Sequence, residues 1–556
     1  MRVLGVNAVF HDPAAALVVD GVTVAAAEEE RFSRRKHGKR PVPFSAWELP
    51  ELAMRWCLQA GGLEPGDLEA VAYSFDPELA KPAEDMGLGD PFDSIRLDYA
   101  RRAPGFLAEA LPGLDPGRVR LLAHHVAHAA SAALAIDAPH CAVLVTDGRG
   151  ERASSLLGQY RTDPAGRRSL QVLHTQDLPD SLGLLYESLT DHLGFLRSSD
   201  EFKVMALASY GRPRHLAALG EYVHATGDGG YRAQAPDWSR FAPRRAADAT
   251  DWAPEHADLA ASVQVAVEQV LVELASWLRE RTGAPVLAMA GGTALNCVAN
   301  SRIWREAGFA DVWVQPAAGD SGTALGAALQ TAADGGDRIA PVPRADLGRG
   351  WSDAELAEHL TRARLPFTTP DDLAGEVADI LAADGVVAWF DGRSEFGPRA
   401  LGHRSLLAHP GHAANLERLN DVKGREQFRP VAPMVLAERA DQLVTGGPLP
   451  SPYMLFVHDV RPEWRERIPT VVHVDGTARV QTVDDASLPR IAALLRAFEA
   501  RTGLPVLVNT SLNTAGRPMV DDPRDALELF GSAPVAALVL GAHLVRRAAL
   551  TSGSQT

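Results

Sequence analysis

Cysteine is scarce. The chain of 556 residues carries three, Cys57, Cys141 and Cys297, far apart and in apolar surroundings. That spacing excludes a disulfide framework and a zinc knuckle, and it predicts buried free thiols in a reducing compartment. No run reaches the roughly 18–20 apolar residues that a membrane helix needs. The opening "MRVLGVNAVFHDPAAALVVDG" is apolar, but His11 and Asp12 interrupt it and no cleavage site follows, so a signal peptide is not expected. Low-complexity tracts are missing, which argues against disorder. Positive charge is in deficit: 55 Lys and Arg against 71 Asp and Glu leave a net charge of −16. Such a balance suits neither DNA nor RNA as partner. The expectation is a cytoplasmic globular protein with no membrane or nucleic-acid partner.

Apolar residues make up 46% of the chain. Single cores stop growing at about 250–300 residues, so two large domains are expected. The start reads as strands, with Asp20-Gly21 as a hairpin turn between two apolar runs and His11 and Asp12 on the first loop. Residues 119–135 read as a helix. "CAVLVTDGRG" (141–150) reads as a buried strand ending at Asp147-Gly148, with "SLLGQYR" as its antiparallel partner. Residues 257–281 form a long amphipathic helix closed by Gly283 and Pro285. The strand "PVLAMA" then runs through "GGTALN" into another helix, an order that suits phosphate or nucleotide binding. The Gly-, Pro- and Asp-rich stretch 332–350 is the best linker. Beyond it come helix "DLAGEVADILAADG", strand "VVAWF", helix "RIAALLRAFEARTG" and strand "LPVLVNTSLN". Residues 281–287 echo 501–507, a shared helix–stop–strand grammar too short to count as a repeat.

"LLAHHVAHAASAAL" (121–134) packs three histidines into five residues. His124 and His128 are four apart and share a helix face, while His125 points about 100° away. Such a pair grips a cation or is merely structural. No Glu follows the first His, so the metalloprotease pattern fails. A metal needs further ligands, and Asp147 and Asp320 stand at strand ends, where α/β sites collect.

The motifs "HHVAHAASA", "VTDG", "GGTALN" and "GDSGTALGAA", with "HDPAAALVVDG", "EEERFSRRKHG", "SLGLLYESLTDHLGF" and "EFKVMALASYG", resemble the Kae1-like half of O-carbamoyltransferases of the NodU/CmcH type. "FGPRALGHRSLLA", "VKGREQFRPVAP", "HVDGTARVQTV" and "NTSLN" resemble that family's YrdC-like half, and the matches run in family order over nearly the whole chain. The resemblance implies an α/β protein of two parts. An actin-like (ASKHA, Kae1-like) carbamoyl-transfer domain spans residues 1–345, and a YrdC-like α/β domain that forms carbamoyl adenylate spans 346–556. It implies ATP as co-substrate, carbamoyl phosphate as donor and a hydroxyl-bearing natural product as acceptor, as in antibiotic tailoring. It further implies a metal, divalent or trivalent and iron by family, on His124, His128, Asp147 and Asp320. Mg accompanying ATP and a homodimer are both compatible with it. By the same resemblance His11 is the base that takes the acceptor proton, a step worth typically about 10²–10⁴ in rate. A closed passage between the domains would protect the water-sensitive donor.

Gly291, Gly292 and Asn296 are the nucleotide candidates, and Lys203 either supports that pocket or pairs with Glu201. Two phosphate substrates require concentrated positive charge in an acidic chain. The second half supplies it in Arg393, Arg399, Arg404, Lys423, Arg425, Arg429 and Arg479, with His473 beside the last, interleaved with Phe396, Pro398, Leu401 and Phe428. Guanidinium forks suit phosphate oxygens. His403, His409 and His412 have no spacing that argues for a second metal. Asn509 and Ser511 match the family's polar positions beside carbamoyl phosphate. The sequence departs from the family at Arg517, where Glu is common, and at Leu512, where Phe is common. The aromatic residues Trp238, Phe241 and Trp252 in segment 212–255 are candidates for shaping the acceptor site. Two other readings compete: a tRNA-modifying enzyme of the threonylcarbamoyl type, which the acidic charge disfavours, and a non-catalytic actin-like nucleotide-binding regulator, which needs neither His11 nor the arginines.

Overall fold

The computed structural model describes residues 1–38, 48–88, 92–514 and 516–547. The chain divides into two units, Met1–Arg344 and Ala345–Thr556. The break lies inside the Gly/Pro-rich stretch, past the end of a helix at Asp334.

The first unit holds two five-stranded sheets. Strands β1 (Arg2–Asn7), β2 (Ala14–Val19), β3 (Val22–Glu28), β4 (Ala70–Tyr73) and β5 (Val119–Leu121) form one, in the order β3-β2-β1-β4-β5. The three leading strands run antiparallel, and β4 and β5 add in parallel. Asp20 and Gly21 both take positive φ, 49° and 77°, as a tight hairpin turn requires. Strands β6 (His140–Thr146), β7 (Ala153–Thr162) and β8 (Arg168–Asp177) follow, then a small hairpin of β9 (Val223–Ala225) and β10 (Tyr231–Ala233), then β11 (Val286–Ala290) and β12 (Asp311–Val314). The second sheet reads β8-β7-β6-β11-β12, again with an antiparallel trio extended by two parallel strands. One motif is thus used twice, and that duplication is the actin-like architecture. The short echo of 281–287 in 501–507 is unrelated to it, because those segments lie in different units.

The expected helix 119–135 begins later. Val119–Leu121 joins the sheet as β5, and helix α1 spans His124–Ala133. Parallel pairing with β4 outweighs the helical pattern there. Helix α2 (Pro254–Thr282) ends at Gly283, whose φ is 63°. Contrary to the sequence reading, α2 is long and apolar enough to span a membrane by length and composition, but most of it is buried in the first unit. Helices α3 (Cys297–Glu306) and α4 (Ser321–Asp334) follow the two parallel strands of the second sheet.

Helix α4 fits between β1 and α1 because small residues let backbones touch. A Cβ on Gly326 would lie 1.7 Å from the Ala127 carbonyl oxygen of α1, and one on Gly5 of β1 would lie 1.8 Å from the Ala324 oxygen of α4. Cys57, Cys141 and Cys297 are buried thiols, none of them in a disulfide.

In the second unit, strands β13 (Val387–Phe390), β14 (Arg404–Ala408), β15 (Ala432–Leu436), β19 (Gln481–Val483), β20 (Val506–Ser511), β21 (Ala537–Leu540) and β22 (His543–Arg546) form a mixed sheet, ordered β19-β15-β20-β14-β13-β21-β22. Strands β16 (Val444–Thr445), β17 (His458–Val460) and β18 (Thr477–Ala478) make a small side sheet. Helices α5 (Ala414–Lys423) and α6 (Pro489–Thr502) belong to this α/β unit, and Trp389, Phe390 and Phe498 fill its core.

The Gly326 contact yields a sharp expectation. Gly326→Ala gains about 0.8–1 kcal/mol of helix propensity, yet its methyl must displace the Ala127 carbonyl, with overpacking losses of about 1–3 kcal/mol or more. Urea denaturation should show a lowered midpoint at unchanged slope; a midpoint raised by the propensity gain would contradict the close approach.

Candidate active site

Four buried side chains converge in the first unit. His124 and His128, one turn apart on α1, have rings 4.7 Å apart and nearly perpendicular. His124 Nε2 lies 3.4 Å from Asp147 Oδ2 and 3.6 Å from Asp320 Oδ1, and His128 Nε2 lies 3.8 and 3.6 Å from the same two oxygens. Four donors about 2.0–2.2 Å from a common tetrahedral centre stand about 3.3–3.6 Å apart, so the quartet is already spaced for one ion. His124 Nε2, His128 Nε2 and Asp320 Oδ1 are buried without a hydrogen-bond partner, the condition of atoms that wait for a cation. Imidazole nitrogens with carboxylates suit a transition metal such as zinc or iron.

Each ligand is held from behind. The Nδ1–H of His124 donates to the Ser74 carbonyl at 3.2 Å, which leaves Nε2 bare. Glu151 accepts the backbone N–H of His124 at 2.8 Å and that of Asp76 at 3.0 Å, capping α1. The N–H of Gly292 donates to Asp147 Oδ1 at 2.9 Å, fixing the carboxylate and turning Oδ2 to the histidines. Gly291 must be glycine: its φ is 91°, and a Cβ would lie 2.2 Å from the Thr146 oxygen. Asp320 immediately precedes α4, with its carbonyl accepting from Thr323 Oγ1 at 2.6 Å.

The electrostatics follow. Burial works against the charge on His124, but the facing carboxylates of Asp147 and Asp320 hold its pKa well above the usual imidazole value, and a cation at Nε2 would take the place of that proton. Burial likewise opposes the charge on Asp320, yet the facing imidazoles, His11 foremost, bring its pKa down to about 2. Asp147 is held below the ordinary carboxylate range in the same way, by His124 and His128. His125, on the other face of α1, is pushed down to about 3 by burial and by His124, so it stays neutral. It packs against Gly150, where a Cβ would meet its ring at 2.7 Å.

His11 stands at the rim. Its Nε2 is 3.7 Å from Asp320 Oδ2, and its Nδ1 is 2.8 Å from Asp12 Oδ2. The loop is strained, with Phe10 at φ 65° and Asp12 at φ 51°. Asn7 holds it by donating from Nδ2 to the carbonyls of His11 and Asp12, both at 3.0 Å.

Each nucleotide candidate has partners within the fold. Gly291 and Gly292 serve Asp147. Asn296 caps α3 through Ala299 N and exchanges amide bonds with Gln264 at 3.0 Å. Lys203 Nζ pairs with Asp200 at 3.0 Å.

In the second unit, Arg425 lies close enough to Arg429 and Arg479 that burial first, then these two charges, lower its pKa to about 9. Burial and Arg479 depress His473 to about 4, against the pull of Asp475. Crowded guanidiniums of this kind call for anionic oxygen. Lys423 Nζ reaches Ser511 Oγ at 3.0 Å and Asn513 Oδ1 at 2.6 Å. Asn509, buried on β20, donates to the Ala400 carbonyl at 3.0 Å and to Gln481 Oε1 at 2.7 Å. Arg399 sits half-buried in the loop between β13 and β14. Arg404 has a different part from the one expected. Fully buried on the Phe390 ring, it donates to the carbonyls of Arg349, Asp391, Gly392 and His403, so it braces the loop rather than presenting its fork to solvent. Arg393 donates to the carbonyls of Leu347 and Gly348. The loop's organiser is Glu395, which accepts the N–H groups of Leu401, His403 and Arg404. Arg517 lies exposed and pairs with Glu528, and Leu512 is core.

A duplicated actin-like unit with a buried His/Asp quartet is followed by an α/β unit with clustered arginines. The chain belongs to the carbamoyltransferase family: the carbamoyltransferase N-terminus matches residues 2–86 and 110–329, and the carbamoyltransferase C-terminus matches 378–547. It is a carbamoyltransferase. An uncharacterized protein of Synechocystis is 35% identical over 97% of this chain and 95% of its own. The nodulation protein NolNO of Sinorhizobium fredii is 36% identical over 97% and 80%, and nodulation protein U of Rhizobium tropici is 32% identical over 95% and 93%. Among solved structures, HypF of T. kodakarensis covers 60% of this chain and 47% of its own at 12% identity, with a TM-score of 0.37. The ROK hexokinase of Thermus thermophilus covers 59% and 98% at 15% identity, with a TM-score of 0.29.

For the quartet, Asp147→Asn keeps the acceptor for Gly292 but removes the charge. Equilibrium dialysis against Fe(II) should show affinity falling at least about 100-fold, beyond the effect of an outer-shell change, whereas His125→Ala should bind like the parent chain. Equal affinity in Asp147→Asn would remove the quartet as the metal site.

Proposed function

We propose that this chain is an ATP-dependent O-carbamoyltransferase that carbamoylates a hydroxyl of a small-molecule natural product in the cytoplasm. The observation that carries the reading is the His124–His128–Asp147–Asp320 quartet with His11 at its rim. In the second unit, carbamoyl phosphate, ATP and one water give carbamoyl adenylate, inorganic phosphate and pyrophosphate. Arg425, Arg429 and Arg479 bind the phosphates, with Lys423, Ser511 and Asn509 supporting the carbamoyl group. Positive charge there stabilises the developing phosphate anions in a setting poor in water.

In the first unit the acceptor oxygen attacks the carbamoyl carbon. The new C–O bond forms, the bond to the AMP phosphate breaks, and AMP leaves as an anion. His11 Nε2 takes the hydroxyl proton, with Asp12 holding the ring in the tautomer that carries its own proton on Nδ1. His124, His128, Asp147 and Asp320 would hold an iron ion, which supplies a positive centre for the donor's phosphate. Toward the acceptor, Tyr210 and Trp252 pack edge to face at 5.2 Å, and Tyr210 is exposed, an aromatic surface suited to a ring-bearing alcohol. Trp238, buried and bonded to Ser188, is structural.

The test is direct. Purified protein with ATP should release AMP and pyrophosphate only when carbamoyl phosphate is present, and Arg425→Met should slow that release about 10²–10³-fold. A panel of aminoglycosides, β-lactams, macrocycles and chitooligosaccharides, screened by intact mass, should reveal an acceptor that gains one carbamoyl unit. AMP release that ignores carbamoyl phosphate would refute the reading.

A further inference from the structure

A second histidine stands behind the His11–Asp12 pair. Asp12 Oδ2 faces His11 Nδ1 at 2.8 Å, and Asp12 Oδ1 faces His37 Nδ1 at 2.6 Å. The carboxylate is therefore clamped between two imidazoles, one oxygen to each. His37 belongs to the short turn Lys36–Gly38, far along the chain from Asp12, so this contact is built by the fold.

Three features point to construction rather than chance. The backbone of His37 is left-handed, φ 58°, a conformation that a side-chain-bearing residue rarely adopts. Glu30 Oε2 accepts the His37 backbone N–H at 2.9 Å and so secures the turn. Gly38, at φ 65°, lies against Pro13, where a Cβ would meet the ring at 3.0 Å, so the turn docks on the residue next to Asp12. Both partners of the 2.6 Å contact thus have strained backbones, and strain of this kind persists where the surroundings over-determine a functional geometry.

We propose that His37 is a positioning residue for carbamoyl transfer: it occupies the second oxygen of Asp12 and thereby fixes the carboxylate that fixes His11. This rests on the reading of His11 as the base. With both oxygens engaged, Asp12 cannot rotate away from the His11 ring. His11 then keeps its proton on Nδ1 and its Nε2 lone pair toward the reacting hydroxyl. His37 touches no reacting atom; it acts through Asp12.

Two substitutions separate the side chain from the backbone. Glycine accepts φ 58° without strain but has no donor, whereas asparagine tolerates that φ and carries an amide N–H close to where Nδ1 stood. With carbamoyl phosphate, ATP and glycerol in excess as a surrogate acceptor, beside any panel alcohol that is carbamoylated, His37→Gly should lower kcat for transfer about 10–100-fold with KM for the alcohol unchanged. His37→Asn should restore kcat to within about threefold. In the Asp12→Asn background, His37→Gly should cost little more, because the two residues act as one unit. Pyrophosphate release, carried by the second unit, together with an unchanged thermal melt, reports that the variants are folded.

A His37→Gly variant with parental kcat, a loss that His37→Asn does not restore, or losses that multiply with Asp12→Asn would each overturn the inference. His11→Asn keeps the two failures apart. If it still transfers, the reading of His11 has failed; if it is inactive while His37→Gly is not, only the role of His37 has.

Discussion

The site depends on one close approach. Helix α4 lies against α1 and β1 at distances that admit no side chain at Gly326 or Gly5, where a Cβ would meet carbonyl oxygens at 1.7 and 1.8 Å. That contact places the N-terminus of α4, and with it Asp320, opposite the face of α1 that carries His124 and His128. Asp147 arrives from the end of β6, and the Gly291–Gly292 turn after β11 fixes its rotation through a single N–H. Two sheets of the same topology therefore contribute at equivalent ends of their parallel strands, the usual place for chemistry in α/β folds. The glycines of "GGTALN" and "GDSGTALGAA" are tolerances in the packing before they are ligand contacts.

Burying two carboxylates beside two imidazoles is costly unless charge is balanced, since each isolated ion carries a desolvation penalty of several kcal/mol. The protein sets the imidazole nitrogens of both histidines 3.4–3.8 Å from the carboxylates, and a cation bound among them would supply the balancing charge. The second unit has the reverse arrangement, guanidiniums crowded enough to depress Arg425 to about 9. The first unit thus gathers carboxylates and imidazoles and the second gathers guanidiniums, the contrast on which the proposed two-step route is built.

Much of this was legible in the residues. The His124/His128 spacing, the strand ending at Asp147, and the Asp20-Gly21 turn follow from periodicity and turn chemistry. The convergence of Asp320 with the histidines does not, because 192 residues and a packing contact separate Asp320 from His128. The duplicated sheet topology left no sequence echo, since strand order is set by pairing and apolar alternation, which many sequences satisfy. Supporting groups were missed for a similar reason: Asn7, Glu151 and Glu395 act by bonding to backbone N–H and carbonyl groups that sequence does not locate. Arg404 misled because a run of arginines looks alike whether a guanidinium faces a pocket or the main chain; burial on Phe390 decides it. His37 sat within a recognised motif, yet only the fold reveals that it meets Asp12.

Anomalous diffraction at the iron edge, from crystals grown with Fe(II), tests the central claim most directly. One strong peak should lie about 2.0–2.2 Å from His124 Nε2, His128 Nε2, Asp147 Oδ2 and Asp320 Oδ1 together. A peak elsewhere in the chain, or these four side chains turned apart with no peak among them, would contradict it.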